Sequence, residues 1–157
     1  MSSFIIADPE KCIGCGACEI ACAAANIDVE ILQAQDYATP FIPRLQLVMT
    51  AEVTAPVQCR QCADAPCAGI CPEKGISLKN GVVAVDQSLC IGCKMCMAAC
   101  PVGAIGVSTQ GAEKCQLCSE RTEGPACMEV CPADAFTLIR QEDLAKEVRR
   151  RRVASVL

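Results

Sequence analysis

Apolar residues in this chain come in short bursts separated by polar, glycine- and proline-containing turns. Phe4-Ile5-Ile6-Ala7 is the first burst and predicts a strand, because branched and aromatic side chains favour extended backbone. Glu19-Ile20-Ala21-Cys22-Ala23-Ala24-Ala25 predicts a short helix. A loop at Pro40-Phe41-Ile42-Pro43-Arg44 leads into Leu45–Thr50 and Glu52–Val57, which read as a loose hairpin. Between Gly75 and Asp86, Asn80-Gly81 divides two apolar runs and is a strong hairpin signal. Ile105–Ser108 and Phe136–Ile139 predict two further strands, and Gln141–Val153 a polar helix with Leu144 and Val148 on one side. The fold class expected from this pattern is α+β. No run approaches the length of a transmembrane helix, so direct membrane insertion is not expected.

Such short elements bury little. One Tyr, three Phe and no Trp supply almost no aromatic packing, and 157 residues make one small domain or two very small ones. Something other than an apolar core has to hold them. The sixteen cysteines are the candidates, because they fall into four groups of four. Cys90, Cys93, Cys96 and Cys100, followed by Pro101, show the C-x2-C-x2-C-x3-C-P run in which three thiolates hold one [4Fe–4S] cube and the fourth reaches a neighbouring cube. Cys12, Cys15, Cys18 and Cys22 repeat the spacing, with Ala23 where proline would stand. Cys59, Cys62, Cys67 and Cys71-Pro72, and Cys115, Cys118, Cys127 and Cys131-Pro132, are stretched versions. Disulfides do not explain one spacing repeated four times, and Met1-Ser2-Ser3-Phe4 does not begin a signal peptide. Zinc sites usually join two separated pairs, whereas a dense triplet with a fourth cysteine before proline suits a cube. Four clusters would consume every cysteine.

Because the fourth cysteine of one group serves the cluster of another, a ferredoxin unit needs two groups. Residues 57–108 read as one compact two-cluster unit. The groups at Cys12–Cys22 and Cys115–Cys131 would then pair around it, making residues 1–56 and 109–157 an outer unit with an insertion loop and a C-terminal helix. Two consecutive ferredoxins, first group with second and third with fourth, are the alternative that spacing alone leaves open. Glycines between ligands, Gly14, Gly16 and Gly92, let backbone amides approach sulfur.

Charge narrows the function. The formal net charge is −4, and sixteen thiolates outweigh the positive cores they would hold, so the loaded protein is more acidic still. That excludes nucleic acid and suits basic patches on redox partners. There is no histidine, and fully ligated iron leaves no open coordination site. Catalysis is therefore expected in a partner subunit. Phe41, Ile42 and Leu45, and Met95 and Met97, are apolar candidates for a docking patch; Arg149-Arg150-Arg151-Arg152 is a basic tail.

The segments Phe4-Ile5-Ile6-Ala7-Asp8, Lys11-Cys12-Ile13-Gly14-Cys15, Cys59-Arg60-Gln61-Cys62 with Ala65-Pro66-Cys67, Cys90-Ile91-Gly92-Cys93-Lys94, and Lys114-Cys115-Gln116-Leu117-Cys118 with Gly124-Pro125-Ala126-Cys127 carry a resemblance that spans nearly the whole chain. The sequence resembles the four-cluster ferredoxin-like electron-transfer subunits of prokaryotic formate dehydrogenases, formate hydrogenlyase and related molybdopterin oxidoreductases, including small proteins of the hydrogen-dependent carbon dioxide reductase type. The resemblance implies two bacterial-type 2[4Fe–4S] ferredoxin units, one inserted in the other. It implies clusters on Cys12, Cys15, Cys18 and Cys131; on Cys115, Cys118, Cys127 and Cys22; on Cys59, Cys62, Cys67 and Cys100; and on Cys90, Cys93, Cys96 and Cys71. It further implies a cytoplasmic electron relay serving a molybdopterin formate dehydrogenase subunit, an iron-only hydrogenase, or a larger assembly of these. A free polyferredoxin serving several enzymes and a cluster-containing maturation factor are the alternatives. Anaerobically purified protein is expected to contain iron and acid-labile sulfide in equal amounts; stoichiometric zinc in a metal assay would contradict the cysteine reading.

Overall fold

The computed structural model describes residues 3–27 and 41–154. Pro40, at the head of the predicted insertion loop, lies outside the described residues. In chain order the elements are β1 (Ser3–Ala7), α1 (Ala17–Ala24), β2 (Leu45–Met49), β3 (Thr54–Gln58), α2 (Pro66–Ile70), β4 (Ile76–Lys79) and β5 (Val82–Val85). They continue with α3 (Met95–Ala99), β6 (Ile105–Ser108), β7 (Gly111–Lys114), α4 (Ala126–Glu129), β8 (Phe136–Arg140), a 3-10 turn (Gln141–Asp143) and α5 (Leu144–Ala154). This is a small mixed fold of strands and short helices.

The strands form antiparallel two-stranded ribbons: β1 with β8, β2 with β3, β4 with β5 and β6 with β7. Phe4 faces Ile139 and Ile5 faces Leu138, so the first and last predicted strands meet across the whole chain. The β4–β5 turn has Asn80 at φ 52° and Gly81 at φ 81°, the pair of positive angles that a two-residue hairpin requires. In the β2–β3 hairpin, Thr50 Oγ1 accepts from the Val53 amide at 2.9 Å and donates to the Val53 carbonyl at 3.0 Å, which fixes the turn. β7 was not expected. Gly, Ala, Glu and Lys are poor strand formers, and Gly111-Ala-Glu-Lys114 is extended here because it pairs with β6 and buries Gly111, Ala112 and Lys114.

Helix lengths follow the residue after the fourth cysteine of each group. Cys71 and Cys100 precede proline, which disfavours helical backbone at the residue before it. Both are extended (φ −67°, ψ 116°; φ −76°, ψ 115°), and α2 and α3 stop just ahead of them. Cys22 precedes Ala23 instead, and α1 runs on through Cys22 to Ala24, as that substitution predicts.

Two apolar cores result, and cysteines belong to both. One joins Ile76, Val83, Val85, Ile105 and Ala112 to Cys67 and Cys96. The other joins Ile5, Leu45 and Phe136 to Cys18, Cys22 and Cys127. Leu45, a candidate for a docking patch, is 5% exposed and part of the second core, so it does not face a partner. α1 packs on α4 and α2 on α3. β3 is tied to β1 through the Ile5 carbonyl, which accepts from Gln58 Nε2 at 3.0 Å and Arg60 Nη1 at 3.5 Å.

Ala23 is fully buried, and proline there would remove a helical N–H and add atoms to a packed site. Ala23→Pro is expected to lower stability by roughly 1–3 kcal/mol, read as a lower denaturation midpoint of the anaerobic, metal-loaded protein.

Candidate metal centres

Each cysteine group begins with the same backbone device. The residue two positions after the first cysteine has left-handed backbone in all four groups: Gly14 (φ 70°), Gln61 (φ 49°), Gly92 (φ 68°) and Leu117 (φ 57°). The glycines were legible in the sequence. Gln61 and Leu117 were not, because side-chain-bearing residues rarely adopt this conformation and give no compositional signal for it. Their amides turn back on the first sulfur: Gln61 N–H donates to Cys59 Sγ and Leu117 N–H to Cys115 Sγ, each at 3.4 Å. Ala112 N–H reaches Cys90 Sγ at 3.3 Å from β7.

Two of the fourth cysteines are served four residues on. Ala104 N–H donates to Cys100 Sγ and Ala135 N–H to Cys131 Sγ, both at 3.4 Å. Cys22 breaks the pattern because α1 continues, which directs the Asn26 amide to the Ala23 carbonyl. The Asn26 side chain substitutes for it: Nδ2 lies 2.6 Å from the Cys22 carbonyl and 3.8 Å from Cys22 Sγ. Arg44 N–H adds a donor to Cys22 Sγ at 3.2 Å. The visible end of the insertion is thus built into the site. Leu47 N–H also donates to Glu19 Oε1 at 2.8 Å, and Arg44 Nε pairs with Glu113 Oε2 at 3.0 Å.

The sulfurs gather in sets. Cys12, Cys15, Cys18 and Cys131 line a small apolar cavity whose other walls include Ile13, Leu47, Pro56 and Phe136. Cys71, Cys90, Cys93 and Cys96 line another with Ile76, Val85, Ile91 and Val107. Burial pushes the Cys127 thiol up to about 12, and the nearby thiolates of Cys115, Cys22, Cys118 and Cys18 add to the rise. Burial likewise pushes Cys115 up to about 11, with Cys22 and Cys59 contributing, and Cys18 to about 11. Cys67 is raised by burial, with Cys59 and Cys100 as neighbours and Lys114 opposing. Cys22 is raised by burial and by Cys118, and Cys96 by burial, Cys90 and Cys93. Cys62 is half-buried in the turn that Cys59 opens.

Thiols this reluctant to ionise become thiolates only when a metal replaces the proton. Among the described residues no three cysteine or carboxylate side chains meet closely enough to share a single ion. The sulfurs instead ring apolar cavities and receive amide hydrogens. That donor set fits an iron–sulfur cube, in which soft thiolates hold separate iron corners and N–H groups offset the charge on sulfur.

Residues 50–141 match the family model of the 4Fe-4S dicluster domain, and residues 3–24 that of a 4Fe-4S binding domain. The chain belongs to the 4Fe-4S dicluster family. It is 41% identical to the electron transport protein HydN of Escherichia coli K12 over 96% of this chain and 97% of that protein. The putative electron transport protein YsaA of the same strain is 46% identical over 87% of this chain and 88% of its own. Formate hydrogenlyase subunit 2 of that strain is 32% identical over 97% and 89%. This dicluster protein is therefore an iron–sulfur electron carrier rather than a catalytic enzyme, and it works between redox partners. No helix among the described residues is long and apolar enough to cross a membrane.

The dicluster protein also holds groups that sequence reading passed over. Gln58, Gln61 and Lys114 are all but fully buried polar side chains. Only their adjacency to cysteines could have marked them. Gly111 is another: a Cβ there would sit 3.0 Å from Cys90 Sγ and 2.4 Å from Gln87 Oε1, at a φ of 121° that other residues rarely adopt. Gly111→Ala is expected to cost roughly 1–3 kcal/mol and to reduce iron bound at the Cys90 cavity. Iron and sulfide assays with paramagnetic resonance of the reduced protein would detect the loss.

Proposed function

We propose that the chain is a four-cluster wire for single electrons between a formate dehydrogenase or hydrogenase catalytic subunit and a second redox partner. Two ferredoxin units are nested, residues 57–108 within 1–56 and 109–157. Meeting of β1 with β8, and packing of α1 on α4 and α2 on α3, support that nesting. The four ligand sets are Cys12, Cys15, Cys18 and Cys131; Cys115, Cys118, Cys127 and Cys22; Cys59, Cys62, Cys67 and Cys100; and Cys90, Cys93, Cys96 and Cys71. We order them in that sequence along the wire. Cys127 feels the charge of Cys18, and Cys115 that of Cys59, which supports the first two steps of the order.

One observation carries the reading. Cys15 and Cys93 are the exposed cysteines, one in each of the two outermost sets, and the rest are buried or half-buried. Electrons enter and leave where a ligand reaches the surface. When bound, the clusters supply one-electron chemistry; the chain fixes their spacing, excludes water with apolar walls, and aims amide hydrogens at sulfur. Ile13 (69% exposed), Met49 (67%) and Ile91 (65%) surround these ports, which favours a docked subunit over a diffusing carrier with a charged surface. Met95 and Met97 are also exposed and extend the second port. The names of HydN and formate hydrogenlyase subunit 2 support formate- or hydrogen-linked partners. We place the assembly in the cytoplasm, where the thiols escape oxidation before iron arrives.

Anaerobically loaded protein is expected to accept electrons from a formate-reduced molybdopterin dehydrogenase or a hydrogen-reduced iron-only hydrogenase, followed by bleaching of its visible absorption. Ile13→Lys and Ile91→Lys should each slow one partner at least tenfold while leaving cluster content unchanged. Equal rates for both variants and the parent with every partner would remove the ports from the proposal.

A further inference from the structure

Lys114 has no solvent exposure at all and stands immediately before Cys115 at the end of β7. Its Nζ donates to the Val83 carbonyl in β5 and to the Cys115 carbonyl at 3.0 Å. The same Cys115 carbonyl accepts from Gln61 Nε2 at 2.7 Å, and Gln61 Oε1 accepts from the Val83 amide at 2.8 Å. Three segments are closed into one buried network: the turn between Cys59 and Cys62, the strand β5, and the start of the last cysteine group. Gln61 lies in the turn that presents Cys59 and Lys114 ends the strand that leads into Cys115, so the network lies at the junction of two cysteine sets.

The ammonium lacks the usual partner. Among the described residues no carboxylate forms an ion pair with it, and the adjacent Glu113 is taken by Arg44 at 3.0 Å. Two carbonyl dipoles do not balance a buried unit charge, which needs a negative charge close by. The negative groups at hand are cysteine sulfurs. Lys114 directly precedes Cys115, and the Gln61 that shares the Cys115 carbonyl with it donates its own amide to Cys59 Sγ at 3.4 Å, so the ammonium stands between one sulfur from each of two sets.

We propose that Lys114 is a fixed counter-charge shared by the two central clusters, and that it raises the reduction potential of both. The inference rests on the ligand sets proposed above, in which Cys115 and Cys59 belong to the second and third members of the wire. Reduction adds one electron to a cluster already made negative by its four thiolates, so a nearby cation stabilises the reduced form more than the oxidised one. Because the site is dry, solvent does little to screen the effect. Gln61 acts as a positioning residue: by holding the Cys115 carbonyl and the Val83 strand, it fixes where the ammonium sits. The consequence is an electron held most comfortably mid-wire, which keeps the two surface ports from discharging directly into solvent oxidants.

The test uses the full chain, loaded anaerobically, with Lys114→Met, Lys114→Gln and Lys114→Arg beside the parent. Iron and sulfide are assayed first, and potentials are then followed by paramagnetic resonance during a redox titration. In either neutral variant the equilibrium constant for reducing two of the four clusters should fall at least tenfold, about 59 mV for a one-electron couple. The other two should stay within roughly threefold of the parent, about 28 mV by the same conversion. Lys114→Arg should restore the potentials. Unchanged potentials, an equal shift of all four clusters, or an arginine variant as low as the neutral ones would overturn the proposal. So would loss of cluster iron from both neutral variants, which would assign Lys114 to folding alone. A parent protein that holds other than four clusters would sink the ligand sets themselves, and that outcome is read before any potential is measured.

Discussion

The donation of backbone amides to cysteine sulfur is the interaction on which the rest of this structure depends. Most of the cysteines are drawn away from water, and burial together with the neighbouring thiolates raises the Cys127 thiol to about 12. An amide hydrogen aimed at sulfur offsets part of that penalty for the thiolate, and backbone bent into the left-handed region is one way to aim it back on the first cysteine of a group. The shared φ at Gly14, Gln61, Gly92 and Leu117 is the outcome. Gln61 and Leu117 accept a strained conformation because the turn has to be there, whatever side chain occupies it.

The ribbons and helices then serve to hold those turns. None would be stable alone: a two-stranded hairpin is marginal in water, and four- or five-residue helices are far below the length at which isolated helices persist. Here each ribbon backs a cysteine group and each short helix carries one of its ligands into the core. This also explains why polar groups are tolerated inside. Gln58 and Gln61 replace missing strand partners, Gln58 by bonding to Ile5 and Gln61 by bonding to Val83 and Cys115.

Departures from the fourfold pattern show what the constraint requires. The first group lacks proline after its last cysteine, so its helix continues and the backbone amide that would face sulfur is consumed within the helix. Asn26 and Arg44 supply donors instead. The insertion after α1 is for this reason part of the sulfur environment, and Leu45 belongs to the core rather than to a docking face. A second departure is electrical. In an acidic protein with many potential thiolates, the one fully buried side-chain cation among the described residues stands at the boundary between two cysteine sets, where its charge matters most.

Iron–sulfur chemistry was written in the sequence because ligand spacing is local: three cysteines within seven residues can reach one cube whatever the remainder does. Strands flanking the groups were legible for the same reason, since Phe4–Ala7, Asn80-Gly81 and Phe136–Ile139 carry their own preferences. Helix lengths could be read from the residue after each fourth cysteine, because proline acts only on its neighbour. The remainder is non-local. Nothing in Gly111–Lys114 favours a strand until β6 pairs with it, and no rule of composition brings a buried lysine to the carbonyl of Val83, thirty-one residues earlier. Tertiary structure decided which cysteines share a cavity, which apolar residues remain at the surface, and where the buried charge lies, because each depends on segments distant in the chain arriving at one place.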